Sequence, residues 1–117
     1  MPFRDHPLLK GLRFHKPRRE LPPARQRLIE AIGRDRGLPA LPGQWPRLPR
    51  DSDLAEELGI TVATLRTQIG LVADNIEGLE ELEPKTRIWL AYRHDLWLEQ
   101  QAKLEGATNT RGSQQAS

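Results

Sequence analysis

Apolar residues recur at helical spacing through the middle of the chain. The intervals between them are three or four residues over the series Val62, Leu65, Ile69, Val72, Ile76 and Leu79. This spacing places the side chains on one face and predicts a helix over residues 62–82. A coiled-coil seam has the same spacing, but two glycines within three repeats favour an ordinary packed core. Because Gly70 and Gly78 each weaken a helix by about 1 kcal/mol relative to alanine, a break at Asp74–Asn75 or Glu77–Gly78 is an alternative.

Two further segments have helical patterns. A supporting helix is predicted over residues 22–36. Its first residues are prolines, which suit a first turn, and Gly37 follows its end. Residues 84–104 predict the longest helix, starting at Pro84. Its apolar side chains occupy two faces, with Ile88, Trp89, Tyr92 and Leu96 on one and Leu90 and Trp97 on the other. Such a helix is either central in the fold or meets a second copy of the chain.

The segment Asp51–Ile69 predicts two short helices joined by a tight turn. Asp51 or Ser52 can cap the first helix, because a short side-chain oxygen accepts hydrogen bonds from unpaired backbone N–H groups. Gly59 stands where a left-handed residue would end that helix at low steric cost. Thr61 can cap the second helix. The expected buried positions are Leu54, Ala55, Leu58, Leu65 and Ile69.

The stretch RLPRDSDLAEELGITVATLRTQIGLV resembles the DNA-binding segment of GntR-type regulators. Within it, TLRTQI is similar to the recognition helix of LuxR-type response-regulator domains. The resemblance covers about a quarter of the chain. It implies a helix-turn-helix DNA-binding fold, in a transcriptional regulator that binds as a dimer.

The expected architecture is therefore an all-α domain of about four helices over residues 21–104. A flexible basic arm is expected over residues 1–20 and a disordered tail over residues 105–117. The proline-rich residues 38–50 predict an extended strap that packs Trp45 over the core. A winged helix-turn-helix with a β-hairpin at residues 78–93 is the alternative fold.

The net charge of +2 conceals a marked asymmetry along the chain. Residues 1–50 hold 12 Lys/Arg and 4 Asp/Glu, whereas residues 51–83 hold 1 and 9. Phosphate attraction supplies most non-specific DNA affinity. The arm and the arginines of residues 25–36 would therefore have to attract DNA to an acidic motif. The candidate phosphate contacts of the arm are Arg13, Lys16, Arg18 and Arg19.

The second helix of the motif carries the candidate base contacts. Arg66 is expected on a guanine edge, Thr67 or Gln68 on adenine or phosphate, and Val62 or Ala63 against a thymine methyl group. Thr64 flanks this face, while Thr61 and Arg50 would hold phosphates near helix ends. The predicted partners are double-stranded DNA and a second copy of the chain, which would contact the first through Trp89, Leu90 and Trp97.

Little in the sequence favours catalysis or a bound cofactor. The chain has no cysteine, its serines are Ser52, Ser113 and Ser117, and its histidines are far apart. We expect no enzyme, no cofactor and no metal site. No apolar run approaches the roughly 18 residues of a membrane span, so a cytoplasmic protein is expected. The alternative function is a protein-binding module, an adaptor or inhibitor of a polymerase, a replication protein or another regulator.

Overall fold

The computed structural model describes Leu9, residues 11–37 and residues 44–116, with side chains described as far as Glu105. Four α-helices and two short strands lie in this part of the chain. In order they are β1 (Arg13–Phe14), α1 (Pro23–Ile32), α2 (Asp51–Leu58), α3 (Val62–Asp74), β2 (Ile76–Glu77) and α4 (Pro84–Ala116), and a 3-10 turn lies at Arg18–Glu20. The predicted small, mostly helical domain is confirmed. No helix among the described residues combines the length and apolarity needed to cross a membrane.

The first turns of α4 form the centre of the core. Ile88, Trp89, Leu90 and Ala91 are consecutive and each is at most 2% exposed. A helix that is apolar on all sides must be covered on all sides. The cover comes from α1 and α3 and from the two strands, all of which contact α4. The predicted dimer contact is therefore wrong for Trp89 and Leu90, because their own chain buries them.

The turn between α2 and α3 matches the prediction. Gly59 adopts φ 69° and ψ 33°, a left-handed conformation that costs glycine little. Thr61 caps α3, since its hydroxyl oxygen accepts a hydrogen bond from the Thr64 N–H at 3.1 Å. Leu54, Ala55, Leu65 and Ile69 are buried as expected.

The predicted cap of α2 is wrong. The capping position is held by Arg50, which makes no side-chain cap, and Asp51 is the first helical residue. The Asp51 carboxylate instead lies between two cations, Lys85 and Arg66. Its negative charge still suits the N-terminus of a helix.

The predicted helix over residues 62–82 ends early, at one of the two expected breaks. Asn75 follows α3, and its side chain accepts from the Lys16 N–H at 2.9 Å and donates to the Lys16 carbonyl at 3.0 Å. The chain then forms β2, which pairs antiparallel with β1. Gly78 follows at φ 99°, and a Cβ there would lie 2.9 Å from the Gly11 carbonyl oxygen. Contact with residues 11–20, which we call the N-terminal segment, thus replaces the last turns of the predicted helix.

Residues 11–20 differ from the predicted flexible arm. Leu9 and Leu12 are buried in the core and Phe14 packs against it. Arg18 fastens the segment to α4. Its Nε lies 2.6 Å from Asp95 Oδ2, its Nη2 lies 3.0 Å from Glu99 Oε1, and its guanidinium lies 4.9 Å from the centre of the Tyr92 ring. Residues 1–8 and 10 lie outside the described part of the chain.

The alternative hairpin at residues 78–93 is wrong, because α4 begins at Pro84. The loop before it is closed by Arg87, whose buried guanidinium donates to the carbonyls of Ile76 at 2.7 Å and Gly78 at 3.3 Å. At its other end, the backbone of α4 continues to Ala116, past the predicted boundary at residue 104. The sequence predicted a disordered tail over residues 105–117, whereas the backbone of residues 105–116 is helical.

The supporting helix α1 ends at Ile32, four residues before the predicted end at Arg36. It contacts α2, α3 and α4, as expected of a support. Gly33 lies so close to Tyr92 that a Cβ there would be 2.1 Å from the ring. Residues 44–50 of the predicted strap have no regular secondary structure, and Trp45 and Leu48 pack against the core as predicted. Its residues 38–43, with Leu38 and Leu41, lie outside the described part.

We predict opposite effects of alanine at two glycines. Gly33→Ala should lower the free energy of unfolding by about 1–3 kcal/mol, because the new Cβ overlaps the Tyr92 ring. Gly70→Ala should raise it by about 0.5–1 kcal/mol, because Gly70 is inside α3 and nothing lies within 4 Å of the added carbon. Urea unfolding of both variants measures the difference. Equal effects would contradict the close packing of Gly33 on α4.

We predict that Arg18, rather than its neighbour Arg19, holds the N-terminal segment. Arg18→Met should cost about 1–2 kcal/mol, because it removes two charge-assisted hydrogen bonds whose carboxylates are only partly exposed. Arg19→Ala should cost under about 0.5 kcal/mol, since that side chain is 76% exposed and makes one contact of 3.3 Å. Thermal unfolding gives the stabilities. Amide exchange at His15, whose N–H donates to the Asn75 carbonyl, should accelerate in the Arg18 variant alone.

Candidate nucleic-acid interface

The outward face of α3 is small and polar. Leu65, Ile69 and Val72 are buried, and successive residues turn by about 100°, which places Ala63 and Thr67 on the opposite side. Both are exposed, as predicted. The Thr67 hydroxyl donates to the Ala63 carbonyl at 3.1 Å, so it folds back on the helix. Another molecule can therefore approach the α3 backbone closely along this face.

Arg66 stands on one flank of this face with its side chain 70% exposed. Its Nε lies 3.0 Å from Asp51 Oδ2. The other carboxylate oxygen of Asp51 lies 2.9 Å from Lys85 Nζ, and Lys85 also donates to the Pro49 carbonyl at 2.9 Å. The hydrogen bonds from Lys85 and then from Arg66 hold the pKa of Asp51 below its usual value. Asp51 is therefore ionised at neutral pH.

Two arginines of α1 stand on the other flank. Arg25 Nε donates to Gln68 Oε1 at 3.3 Å. Arg27 is exposed and, together with Thr64 and Gln68, lines a cleft of about 70 Å³ between α1 and the motif. The sequence indicated cations in residues 25–36 but could not show which of them reach α3. The structure brings Arg25 and Arg27 to it.

The remaining predicted contacts of the motif differ in availability. Val62 is half-buried and packs against the core, so it is not free to meet a thymine methyl group. Thr61 and Thr64 are exposed, and the Thr61 hydroxyl donates to Thr64 Oγ1 at 2.9 Å, which leaves the Thr64 hydroxyl proton as a donor. Arg50 is exposed at the start of α2, and no side-chain partner of Arg50 is found within the described ranges.

The four cations of the N-terminal segment lie apart from this face. Arg13 pairs with Glu77 at 2.7 Å, and Arg19 pairs with Glu99. Burial alone would lower the pKa of Arg18, but Asp95 and Glu99 outweigh it and the pKa is raised. Lys16 is exposed and contacts Asn75 only through its backbone. Within the described residues, no contact joins these cations to residues 61–68, and three of the four are paired with carboxylates.

Metal binding has little support among the described residues. No group of three or more His, Cys, Asp or Glu side chains there is placed to hold a metal ion. His94 Nδ1 lies 3.2 Å from the Leu12 carbonyl oxygen, and its ring stacks on Trp97 with 6.0 Å between centroids. These contacts assign His94 to packing of the N-terminal segment on α4.

Comparison of the chain with protein-family models, with curated proteins and with solved structures finds no match.

Proposed function

We propose that this protein binds double-stranded DNA, with α2, the turn and α3 acting as a helix-turn-helix and α3 as the recognition helix of a transcriptional regulator. One observation carries the proposal. The exposed start of α3 lies between two sets of cations, with Arg66 and Arg50 towards α2 and Arg25 and Arg27 on α1. This arrangement suits the binding of an elongated polyanion that crosses the helix.

The shape of the face fits a major groove. The groove of B-DNA is about 12 Å wide and admits one α-helix. Ala63 and Thr67 project little from the outward side of α3, so the helix can approach base edges closely. Cations on both flanks then reach the phosphates of both strands, which fixes orientation without reading sequence.

Individual side chains have distinct roles in this proposal. Arg66 reads a guanine, because its guanidinium is exposed and can donate two parallel hydrogen bonds. Gln68 accepts from Arg25, which leaves its amide NH₂ to donate to a base or phosphate. Arg25, Arg27 and Arg50 bind phosphates. The paired cations of the N-terminal segment take a smaller part than the sequence predicts.

A homodimer remains part of the proposal, since regulators of this kind place two recognition helices about one DNA turn apart. Burial removes Trp89 and Leu90 from the contact. Trp97 is half-buried beside His94, and it stays the predicted contact on α4.

A groove between the strap and the start of α4 favours a second candidate function, a protein-binding adaptor. The groove encloses about 440 Å³ and is lined by Trp45, Leu48 and Leu82. Glu81 and Glu83 stand at it as well and are exposed, whereas the one cation among the described lining residues, Lys85, is partly buried and paired with Asp51. A basic segment of another protein with one apolar side chain would fit this combination of charge and surface. Binding of such a peptide without any DNA binding would favour the adaptor.

We expect DNA affinity to depend steeply on salt. If Arg25, Arg27 and Arg50 each neutralise one phosphate, the plot of log K against log salt should fall with a slope of about −3 per chain. Fluorescence anisotropy with mixed-sequence duplexes at several salt concentrations measures this slope. Absence of binding at the lowest salt would reject the DNA-binding proposal.

We expect the α1 cations to supply affinity without specificity. Arg25→Ala with Arg27→Ala should weaken all duplexes alike and make the salt slope shallower by about 2, because two phosphate contacts are lost. The matched control is Arg13→Ala with Arg19→Ala, which removes the same charge from the N-terminal segment. That control should leave the slope nearly unchanged. An equal effect of the two double variants would show that the interface is misplaced.

A further inference from the structure

The single cation of α3 does not stand alone. Arg66 is held by Asp51, and Asp51 is held by Lys85. We propose that Asp51 determines the sequence specificity of the interface, by holding Arg66 so that its two terminal nitrogens face one guanine. This inference rests on the proposed function and names the residue that makes Arg66 select guanine.

The geometry of the guanidinium supports this role. An arginine side chain has five N–H donors, one on Nε and two on each Nη. Asp51 Oδ2 lies 3.0 Å from Nε, so this contact occupies the single donor. The Nη1–Nη2 edge stays available for two parallel hydrogen bonds. Guanine offers two adjacent acceptors in the major groove, O6 and N7, and no other base offers that pair.

The Asp51 carboxylate is itself fixed to the core. Its other oxygen lies 2.9 Å from Lys85 Nζ, and Lys85 is the second residue of α4. Lys85 also donates to the Pro49 carbonyl, so it joins α4 to the strap before α2. Arg66 is thus tied through Asp51 to the helix whose residues 88–91 form the centre of the core. A side chain held in one orientation before binding loses less conformational freedom on binding.

Asp51 also has an effect that opposes binding in general. It is ionised and lies beside the surface proposed to meet phosphates, so it repels the DNA backbone. On a site with guanine in the correct place, the oriented Arg66 compensates for this repulsion. On DNA without that guanine, no contact of Arg66 compensates for the repulsion. Asp51 therefore raises the ratio of specific to non-specific affinity in two ways, by orienting Arg66 towards guanine and by repelling the backbone of other DNA.

The experiment first selects a preferred duplex for the wild-type protein from a randomised library. Binding is then measured at one salt concentration to that duplex, to versions with each guanine replaced, and to unrelated DNA. For Asp51→Ala we expect the preference for one guanine to fall about tenfold. We expect affinity for unrelated DNA to stay equal or to rise. Arg66→Ala should lose the preference for the same guanine, and adding Asp51→Ala to it should cause no further loss.

Asp53→Ala is the matched control. Asp53 lies in the same first turn of α2, is exposed and carries the same charge, yet it does not contact Arg66. Its removal should strengthen binding to all duplexes alike. Asp51→Asn is the second variant should Asp51→Ala unfold. Its single amide oxygen cannot serve both cations, so it should lose most of the preference. Thermal unfolding checks the fold of each variant.

The outcomes separate this inference from the proposed function. If Asp51→Ala behaves like Asp53→Ala, or if the two variants at Asp51 and Arg66 affect different base positions, the role of Asp51 is wrong while DNA binding stands. If the wild-type protein binds no duplex at low salt, the proposed function fails and the inference fails with it.

Discussion

Four consecutive residues, Ile88 to Ala91, are buried on every side of α4, and the arrangement of the other elements follows from covering them. A helix turn without a polar side needs neighbours all round it. Here α1 and α3 contact α4, and the N-terminal segment with its short strand covers what they leave. Trp89 also donates its indole N–H to the Arg34 carbonyl at 2.9 Å, which orients the loop after α1. Truncating such a side chain typically costs about 3–5 kcal/mol, a large part of the stability of a small domain.

Local signals in the sequence were sufficient for one part of this fold. Gly59 and Thr61 set the turn between α2 and α3 through their own conformations and hydrogen bonds, so their roles can be read from neighbouring residues. The buried stripe of α3 is likewise periodic. For the same reason, the outward position of Ala63 and Thr67 could be predicted, as well as the exposure of Arg66.

The rest depends on residues that are distant in sequence. The end of α3 is set by Asn75, which binds the backbone of Lys16, and the end of α1 is set by Gly33, which meets Tyr92. The apolar side chains Leu9, Leu12 and Phe14 indicated that the N-terminal residues could dock on the domain or on a partner, but two-residue strands carry no periodic pattern that would show where. Asp51 was assigned to a cap because its partners, 15 and 34 positions later, cannot be seen locally. The positive charge of the N-terminal segment predicted phosphate contacts for a similar reason. Its arginines at 13, 18 and 19 are paired with carboxylates far along the chain, which the local sequence does not show.

The contacts of Arg18 and Leu12 with α4 have a consequence for the order of folding. Arg18 meets Asp95, 77 positions later, and the Leu12 carbonyl meets His94, 82 positions later. Closing loops of that length costs chain entropy before any contact stabilises the loop, so such contacts form late. On a ribosome, the N-terminal segment emerges first but has no docking surface until α4 has left the exit tunnel. Leu9 and Leu12 are then apolar side chains without a complete core until the residues of α4 that bury them have been synthesised.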